Sequence, residues 1–272
     1  MNFFCALILF LSYSSSSAQV IKGKIVNDAN GEPLVYCTVG VIGQPIGAIT
    51  NQNGLFVLTI PEAMPTAQIK ISMIGFESRL FSIQELLNAE NTIRLKEQPV
   101  ELSNVLVTST KTKRSSLGRK SSSRFFVTGW GGPSTGGERG TLIEVHKPVF
   151  VEKVNFNVAY IGFDSVLIRL HIRKIRDGVP GEELLPKNIF VVCKSAGWTE
   201  IPVESYNLYY DENIAVTLEW VNAWGVLKKE NYANSSKFSL SFLPGILFGK
   251  DGSNASWLVF KHSPGIFLTV QQ

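Results

Sequence analysis

Histidine, cysteine and charge are all scarce in this chain, and each scarcity argues against a class of protein. The three His residues stand at no metal-ligand spacing with another His, Cys or Glu, so we expect no zinc site, no other metal and no cofactor. Beyond the N-terminus, Cys37 and Cys193 lie far apart in apolar runs, which is typical of small buried side chains rather than of a disulfide. The net charge of +4 is too small to indicate a nucleic-acid partner.

Long apolar runs are also missing, so no transmembrane segment is expected. The run over residues 3–11 is too short to span a bilayer, and four serines and Ala18 follow it shortly afterwards. That order is typical of a secretory signal, although no Lys or Arg precedes the run, and a buried first strand is the alternative. We therefore expect residues 1–18 to be a signal peptide. The protein would then be exported to the periplasm or the outer membrane, including the cell surface.

What the sequence does contain is a pattern of short β-strands. Aromatic residues are frequent, with 17 Phe, seven Tyr and five Trp, and they favour strands. Short alternating segments with turn residues between them predict a β-sandwich over residues 19–97. Longer alternating segments predict a second, jelly-roll-like sandwich over residues 139–272. The expected fold class is all-β, with two β-sandwich domains.

The strongest local pattern is a strand, a turn and a strand over residues 49–61. Asn53 and Gly54 both tolerate a positive φ, which a two-residue hairpin turn requires. Alternation after the turn places Phe56 on the inward face. The sequence therefore predicts a hairpin here, with Gly54 in the left-handed region and Phe56 in the core.

Four short segments give the first domain a family resemblance. They are Gly23-Lys24-Ile25-Val26, Gly31-Glu32-Pro33-Leu34, residues 50–56 and Ile74-Gly75-Phe76. They resemble the carboxypeptidase-like regulatory domain, a transthyretin-like (prealbumin-like) module that is common in exported proteins of the Bacteroidetes. That family usually has Asp in place of Asn51 and Tyr in place of Phe76. The resemblance implies a prealbumin-like sandwich with Gly54, Phe56 and Gly75 as structural residues. It implies no catalysis, because in carboxypeptidases this module is an accessory to the enzyme domain.

The second half is similar to a C-terminal region of the same Bacteroidetes proteins. The residues that carry this similarity are 167–172, 178–180, 184–185, 197–198, 203–208 and 218–220. The similarity implies no activity. Jelly rolls often bind carbohydrate, so carbohydrate binding follows only as an analogy of fold.

Residues 98–138, between the two sandwiches, are rich in serine, glycine and basic residues. No acid occurs between Ser109 and Gly137, and a mobile linker is the expected structure. The alternative is an electrostatic contact with acidic lipid headgroups or polysaccharide. Residues 132–136 match the nucleophile-elbow formula, but the glycine-rich sequence after them will not start a helix, so we expect a glycine-rich loop and no catalytic residue.

The polar residues of the second half give weak site signals. Alternation over residues 166–173 places His171 outward between Arg169 and Arg173, so a surface imidazole is expected. Glu182 and Glu183 are adjacent in a predicted loop, whereas a glycosidase needs two carboxylates on opposite sides of a cleft. The oxygen-rich loops at residues 211–213 and 251–254 are expected to be polar turns, with a structural calcium ion as the alternative.

Four tryptophans near glycine-rich or polar loops are the candidates for ligand contact. They are Trp130, Trp198, Trp224 and Trp257. Exposed aromatic rings offer a large apolar area with few rotors, which suits sugar rings and partner side chains. The alternative is packing at the edge of the core, since Trp is highly buried on average.

These observations predict a non-enzymatic binding or scaffold protein of the cell envelope. Its expected partner is an envelope glycan or an outer-membrane protein, and the sequence does not indicate an oligomeric state. The alternative is a hydrolase, or an accessory chain of a peptidase or glycosidase, that uses carboxylates of the second domain. Clustered exposed tryptophans would favour binding, and two carboxylates converging in a cleft would favour the enzyme.

Overall fold

The computed structural model describes residues 18–61, 64, 66–87, 91–98, 113–130, 135–225 and 236–272. The predicted signal peptide lies outside these residues except for Ala18. The described residues form strands and loops with one five-residue helix and one 3₁₀ turn, so the all-β prediction with two β-sandwich domains is confirmed. None of the helices they contain is long and apolar enough to cross a membrane.

The first sandwich packs a three-stranded sheet against a four-stranded sheet. Its elements are β1 (Ala18–Asn27), β2 (Thr38–Val41), β3 (Gly47–Ile49), β4 (Leu55–Pro61), β5 (Gln68–Ser72), β6 (Arg79–Ser82), α1 (Ile83–Leu87) and β7 (Asn91–Leu95). The strand orders are β4-β1-β7 and β3-β2-β5-β6. Alternate residues of β4 are buried, and Phe56 lies in the core between the sheets with Cys37.

The turn at residues 50–54 connects the two sheets and does not form the predicted hairpin. Strand β3 pairs with β2, whereas β4 pairs with β1 in the other sheet. The backbone still reverses tightly, because the side-chain oxygen of Asn51 accepts hydrogen bonds from the amides of Asn53 and Leu55 at 2.9 and 3.0 Å. Gly54 has φ +73°, as predicted. Alternation identifies strands but does not identify their partners, and that is why the hairpin prediction is wrong.

The second sandwich packs a seven-stranded sheet against an eight-stranded sheet. Its elements are β8 (Arg114–Gly118), β9 (Val127–Gly129), β10 (Glu138–Ile143), β11 (Val149–Tyr160), β12 (Ser165–Arg176), β13 (Val179–Glu183), β14 (Ile189–Cys193), β15 (Gly197–Pro202), a 3₁₀ turn (Glu204–Tyr206), β16 (Tyr209–Tyr210), β17 (Ile214–Trp224), β18 (Lys237–Ser241), β19 (Leu247–Lys250), β20 (Leu258–Phe260), β21 (Ser263–Pro264) and β22 (Ile266–Gln271).

The chain crosses between the two sheets several times, as from β10 to β11 and from β11 to β12, which makes this domain a β-sandwich. One sheet has the order β13-β12-β17-β10-β19-β20, with β14 also on β12. The other has the order β21-β18-β11-β22-β8, with β15 and β16 also on β11 and β9 on β18. Apolar residues from the inner faces of both sheets, including Phe156, Leu170 and Trp220, form one core.

The described part of the predicted linker belongs to this second sandwich, which corrects the prediction of a mobile segment. Strand β8 pairs with β22, and β9 pairs with β18. Trp130 is 1% exposed, and its indole Nε1 donates to the Gly137 carbonyl at 2.7 Å. Strand β8 lies at the edge of its sheet, so Arg114 and Ser116 remain exposed while its backbone pairs. Composition therefore could not distinguish it from a linker. Residues 99–112 lie outside the described residues.

The two sandwiches are docked against each other by specific hydrogen bonds. The side-chain amide of Asn254 donates to the carbonyls of Gly40 and Lys70, at 3.0 and 3.1 Å. The amide of Gly43 donates to the Asn254 carbonyl at 2.8 Å. Arg169 donates to the first domain as well, as described below. The two domains therefore pack together as one unit and are not independent modules joined only by a linker.

The structure predicts how substitutions at Gly54 should compare with those at Gly31. Both glycines have φ near +75°, so an alanine at either position carries left-handed strain of about 1–2 kcal/mol. A Cβ at Gly54 would also lie 2.5 Å from the Ile25 carbonyl oxygen, whereas nothing lies within 4 Å of one at Gly31. Gly54→Ala should therefore destabilise the protein more than Gly31→Ala by at least about 1 kcal/mol.

Denaturant unfolding of the two variants and the unaltered chain measures this difference. Phe56→Ala is the reference for a large core effect, at about 3–5 kcal/mol, because Phe56 is 2% exposed. Equal losses of stability in the two glycine variants would show that the backbone approach at Gly54 is not as close as described.

Candidate functional site

A cleft of about 700 Å³ lies between the two sandwiches. The first domain contributes the end of β5 and the loop after it, including Ser72, Gly75 and Phe76. The second domain contributes charged residues of β10, β12, β17 and β19, together with Trp257. Gly75 has φ +88°, so it turns the chain at the cleft wall. The cleft is the candidate functional site because it joins concavity with a concentration of ionisable groups.

The cleft floor is the face of the seven-stranded sheet that points away from the second-domain core. In β12, the residues at 166, 168, 170 and 172 enter that core, and Arg169, His171 and Arg173 face the cleft. The paired strands β17, β10 and β19 bring Glu219, Glu138 and Lys250 alongside, since Arg169 pairs with Glu219 and Glu138 pairs with both Glu219 and Lys250. Strand alternation and register thus gather the charges on one surface.

His171 is buried, which corrects the prediction of a surface imidazole. It is 5% exposed, and its neighbour on the same face, Arg169, is 1% exposed. The alternation that predicted this face was right, but the first domain covers the face. A strand pattern does not reveal what packs on the polar side of its sheet.

One half of the floor is built around Glu219 and His171. The guanidinium Nε of Arg169 lies 2.6 Å from Glu219 Oε2, and His171 Nε2 lies 2.9 Å from the same oxygen. The other ring nitrogen, Nδ1, lies 2.6 Å from Glu183 Oε2. A histidine with a carboxylate at each nitrogen donates to both only as an imidazolium, so this geometry favours the charged form.

The other half is built around Glu138. Its carboxylate lies 2.6 Å from Arg173 Nη1 and 2.6 Å from Lys250 Nζ, and it accepts a hydrogen bond from Thr217 Oγ1 at 2.7 Å. Lys250 also donates to the Ser253 carbonyl at 2.6 Å. Each acid of the floor thus has at least one cationic partner, as buried charges require.

The pKa values follow from this pairing. Burial alone would raise the pKa of Glu138, but Arg173 and Lys250 hold it well below its usual range. At Glu219, burial raises the pKa whereas Arg169 and His171 lower it, and the pKa of that carboxyl falls to about 2. Burial also opposes His171 and Arg173 at Glu183, whose pKa is lowered. All three acids are therefore ionised near neutral pH.

The pKa of His171 is shifted in the opposite direction. Burial and Arg173 lower it, whereas Glu138 and Glu183 raise it, and the net shift is upward. Without His171, the floor carries three carboxylates (Glu138, Glu183 and Glu219) and three cations (Arg169, Arg173 and Lys250). The imidazolium therefore gives the cluster a small positive excess.

Glu138, His171 and Glu219 each offer a ligand atom, and these atoms lie within 4.8 Å of one another. Such a group resembles a metal site in spacing only. A divalent cation there would have to displace Lys250 and Arg169 from the carboxylates, and both cations would remain close enough to repel it. The donor set therefore fits an ion-pair network better than a metal ion.

The four candidate tryptophans have different positions. Trp130 packs edge-on against Trp220 in the core, with ring centroids 5.2 Å apart. Trp198 and Trp224 are 44% and 40% exposed and do not line the cleft. Trp257 is half-buried and lines it, with Lys250 Nζ 4.8 Å from its ring centroid. Of the four, only Trp257 therefore joins the ionic cluster.

The structure also shows the positions of the two cysteines and of several acidic residues that the sequence singled out. Cys37 and Cys193 are free and buried, and burial raises their thiol pKa values to about 12 and about 11. Asp251, from one oxygen-rich loop, is paired with Arg139 at 2.5 Å. Glu182 lines the cleft and is exposed, while Glu183 belongs to the ionic floor. Residues 131–134 of the nucleophile-elbow match lie outside the described residues.

Comparison with known proteins supports the family resemblance of the first sandwich. Residues 21–107 match the CarboxypepD_reg-like domain family. This confirms the resemblance to a carboxypeptidase-like regulatory domain, which is a regulatory and non-catalytic module. The match covers the first-domain wall of the cleft and leaves the ionic floor outside it.

The other two comparisons add no family to the rest of the chain. No curated protein matches the chain. A chain of the solved T13 IBDV viral particle aligns with 94% of this chain and 72% of its own length, at 9% identity. Its TM-score of 0.24 is too low to support an argument about fold or function.

The raised pKa of His171 predicts a specific pH dependence of stability. A group whose pKa is raised on folding stabilises the protein below its unfolded pKa, about 6.5 for His, and loses this contribution as pH rises through the folded pKa. The stability lost in His171→Gln should therefore be largest between about pH 5 and 6.5 and should shrink at higher pH.

Chemical denaturation of both proteins from pH 5 to pH 9 measures this profile. The range starts at pH 5 because the lowered pKa values of Glu138 and Glu183 also stabilise the folded protein, and that contribution is lost as pH falls through and below about 4.5. A difference between the two proteins that stays constant across the range would show that His171 is not held as an imidazolium.

Proposed function

We propose that this protein is an exported, non-enzymatic binding module of the cell envelope and that the interdomain cleft holds its ligand, a glycan. The observation that carries the proposal is the position of Trp257 on the wall of a polar cleft whose floor charges are already paired with one another. Export is supported by the apolar run and the small residues at the N-terminus.

The cleft has the groups that a sugar requires. Lys250 and Arg173 lie over the Trp257 ring, and the part of the ring that stays exposed to the cleft would meet the apolar side of a pyranose. Ser72, Ser78 and Gln98 also line the cleft and offer hydroxyl and amide groups to sugar hydroxyls. Because the charges of the floor are paired with one another, a neutral ligand need not displace an ion pair to enter.

A second candidate function is hydrolysis, since Glu183 and Glu219 do converge on His171. A glycosidase of the usual two-carboxylate type needs one carboxyl group with a raised pKa as its general acid. Here the pKa values of Glu138, Glu183 and Glu219 are all lowered. All three would be ionised and bound to cations near neutral pH. This arrangement supports binding over acid catalysis.

The regulatory-domain match supports the same choice. In the resembled family, the module is an accessory and does not itself catalyse. Here it forms one wall of the cleft, so ligand binding would use surfaces of both domains. Interdomain clefts are common positions for ligand sites, because two rigid walls enclose a ligand more fully than one surface.

The test of this proposal is Trp257→Ala in a glycan-binding assay. Loss of the ring should lower affinity for a bound glycan at least tenfold, roughly the effect of removing an aromatic anchor. The measurement is a glycan array followed by calorimetric titration of the best ligand. Trp224→Ala is the matched control, because Trp224 is exposed outside the cleft and should leave affinity unchanged.

Two outcomes would contradict the proposal. One is equal glycan affinity in the Trp257 and Trp224 variants, which would place the ligand elsewhere. The other is turnover of a glycoside or peptide that Glu183→Gln abolishes, which would establish the hydrolase.

A further inference from the structure

A group of mostly aromatic side chains lies at the surface of the second sandwich, and several of them are largely exposed. We call it the aromatic tip, and its members are Phe125, Phe126, Phe242, Leu243 and His262. Phe125 is fully exposed at 100%, Phe242 at 81% and Leu243 at 58%. Single exposed apolar residues are ordinary, but several adjoining ones mark an interaction surface.

Three members of the tip, Phe126, Phe242 and His262, are in contact, and Phe125 and Leu243 adjoin them in sequence. The Phe126 ring stacks on the Phe242 ring, with centroids 4.7 Å apart and planes at 12°. The His262 ring meets Phe126 edge-on at 5.1 Å. Three separate parts of the chain therefore meet in one patch.

The sheet holds this patch in place. The amide of Leu240, in β18, donates to the Phe126 carbonyl at 2.8 Å. Ser239 Oγ donates to the Ser123 carbonyl at 2.7 Å, and the amide of Leu243 donates to Ser241 Oγ at 3.1 Å. The aromatic rings are thus presented by a fixed backbone, which limits the entropy that binding would cost.

The surroundings of the tip carry charge of one sign. The stretches that carry its members, residues 119–126, 240–247 and 258–264, contain Lys and Arg but no Asp or Glu. Arg119, Arg124 and Lys261 are exposed. A guanidinium N–H of Arg119 donates to the Pro244 carbonyl at 3.2 Å, while Arg124 and Lys261 directly precede Phe125 and His262. The basic residues therefore border the protruding rings.

We propose that the aromatic tip docks the protein onto the surface of an anionic lipid bilayer. Protruding aromatic rings suit the interfacial region of a membrane, and bordering cations suit lipid phosphates. A protein partner would need a pocket deep enough for a fully exposed Phe and acids to match the cations, whereas a bilayer surface supplies both without a preformed shape. The proposal does not depend on what the cleft binds.

The test is cosedimentation of the chain from residue 19 with lipid vesicles, which avoids the N-terminal apolar run. We expect binding to phosphatidylcholine vesicles that contain phosphatidylglycerol, little binding to phosphatidylcholine alone, and weakening by salt. Phe125→Ser combined with Phe242→Ser should lower the partition coefficient at least tenfold, roughly. Each of Arg124→Gln and Lys261→Gln should lower it about fivefold.

Matched controls separate the tip from general surface effects. Val57→Ser removes an apolar side chain that is 57% exposed on the first domain, and Lys194→Gln removes an exposed lysine outside the tip segments. Both should bind vesicles as the unaltered chain does. The proposal is overturned if the double serine variant retains full binding or if anionic vesicles bind no protein. It is also overturned if that variant converts a dimer into a monomer without changing vesicle binding, since the tip would then be a contact between copies.

Discussion

The buried guanidinium of Arg169 is the contact on which the arrangement of the two domains depends. It pairs with Glu219 within the second sandwich and donates to the Tyr36 carbonyl and to Thr38 Oγ1 of the first, at 3.0 and 2.9 Å. A charge that is 1% exposed is tolerated only when its donors are satisfied. The first sandwich supplies part of that satisfaction, so the domain interface and the ionic floor stabilise each other.

The character of the cleft follows from this arrangement. The first domain closes over a face that would otherwise be a solvated charged surface, and the charges beneath it become a network centred on His171. Pairing keeps the carboxylates ionised and occupied, so they are poorly placed to transfer protons to a substrate. What remains accessible to a ligand is the rest of the lining, with Trp257, neutral polar groups and the exposed Glu182. The site therefore suits recognition better than turnover.

The sequence predicted where the strands lie better than it predicted what packs against them. The alternation of β4, the positive φ of Gly54 and the family resemblance of the first sandwich could all be read locally. The inward and outward faces of β12 were also predictable, but the burial of Arg169 and His171 was not, because it depends on the first domain, whose contacts to Arg169 come from Tyr36 and Thr38, more than 100 residues away in sequence. Strand β8 was assigned to a linker because an edge strand with solvated side chains has the composition of one. The contact of Trp257 with Lys250 likewise depends on the conformation of the loop between β19 and β20.

Calorimetric unfolding of the chain from residue 19, with and without Arg169→Ala, tests the central claim most directly. If the buried guanidinium couples the two sandwiches, the unaltered chain should unfold in one cooperative transition. Removing one side of a buried ion pair costs about 3–5 kcal/mol, so the variant should unfold at lower temperature, with the two sandwiches separating into distinct transitions. Two independent transitions in the unaltered chain, with the same midpoints in the variant, would contradict the account.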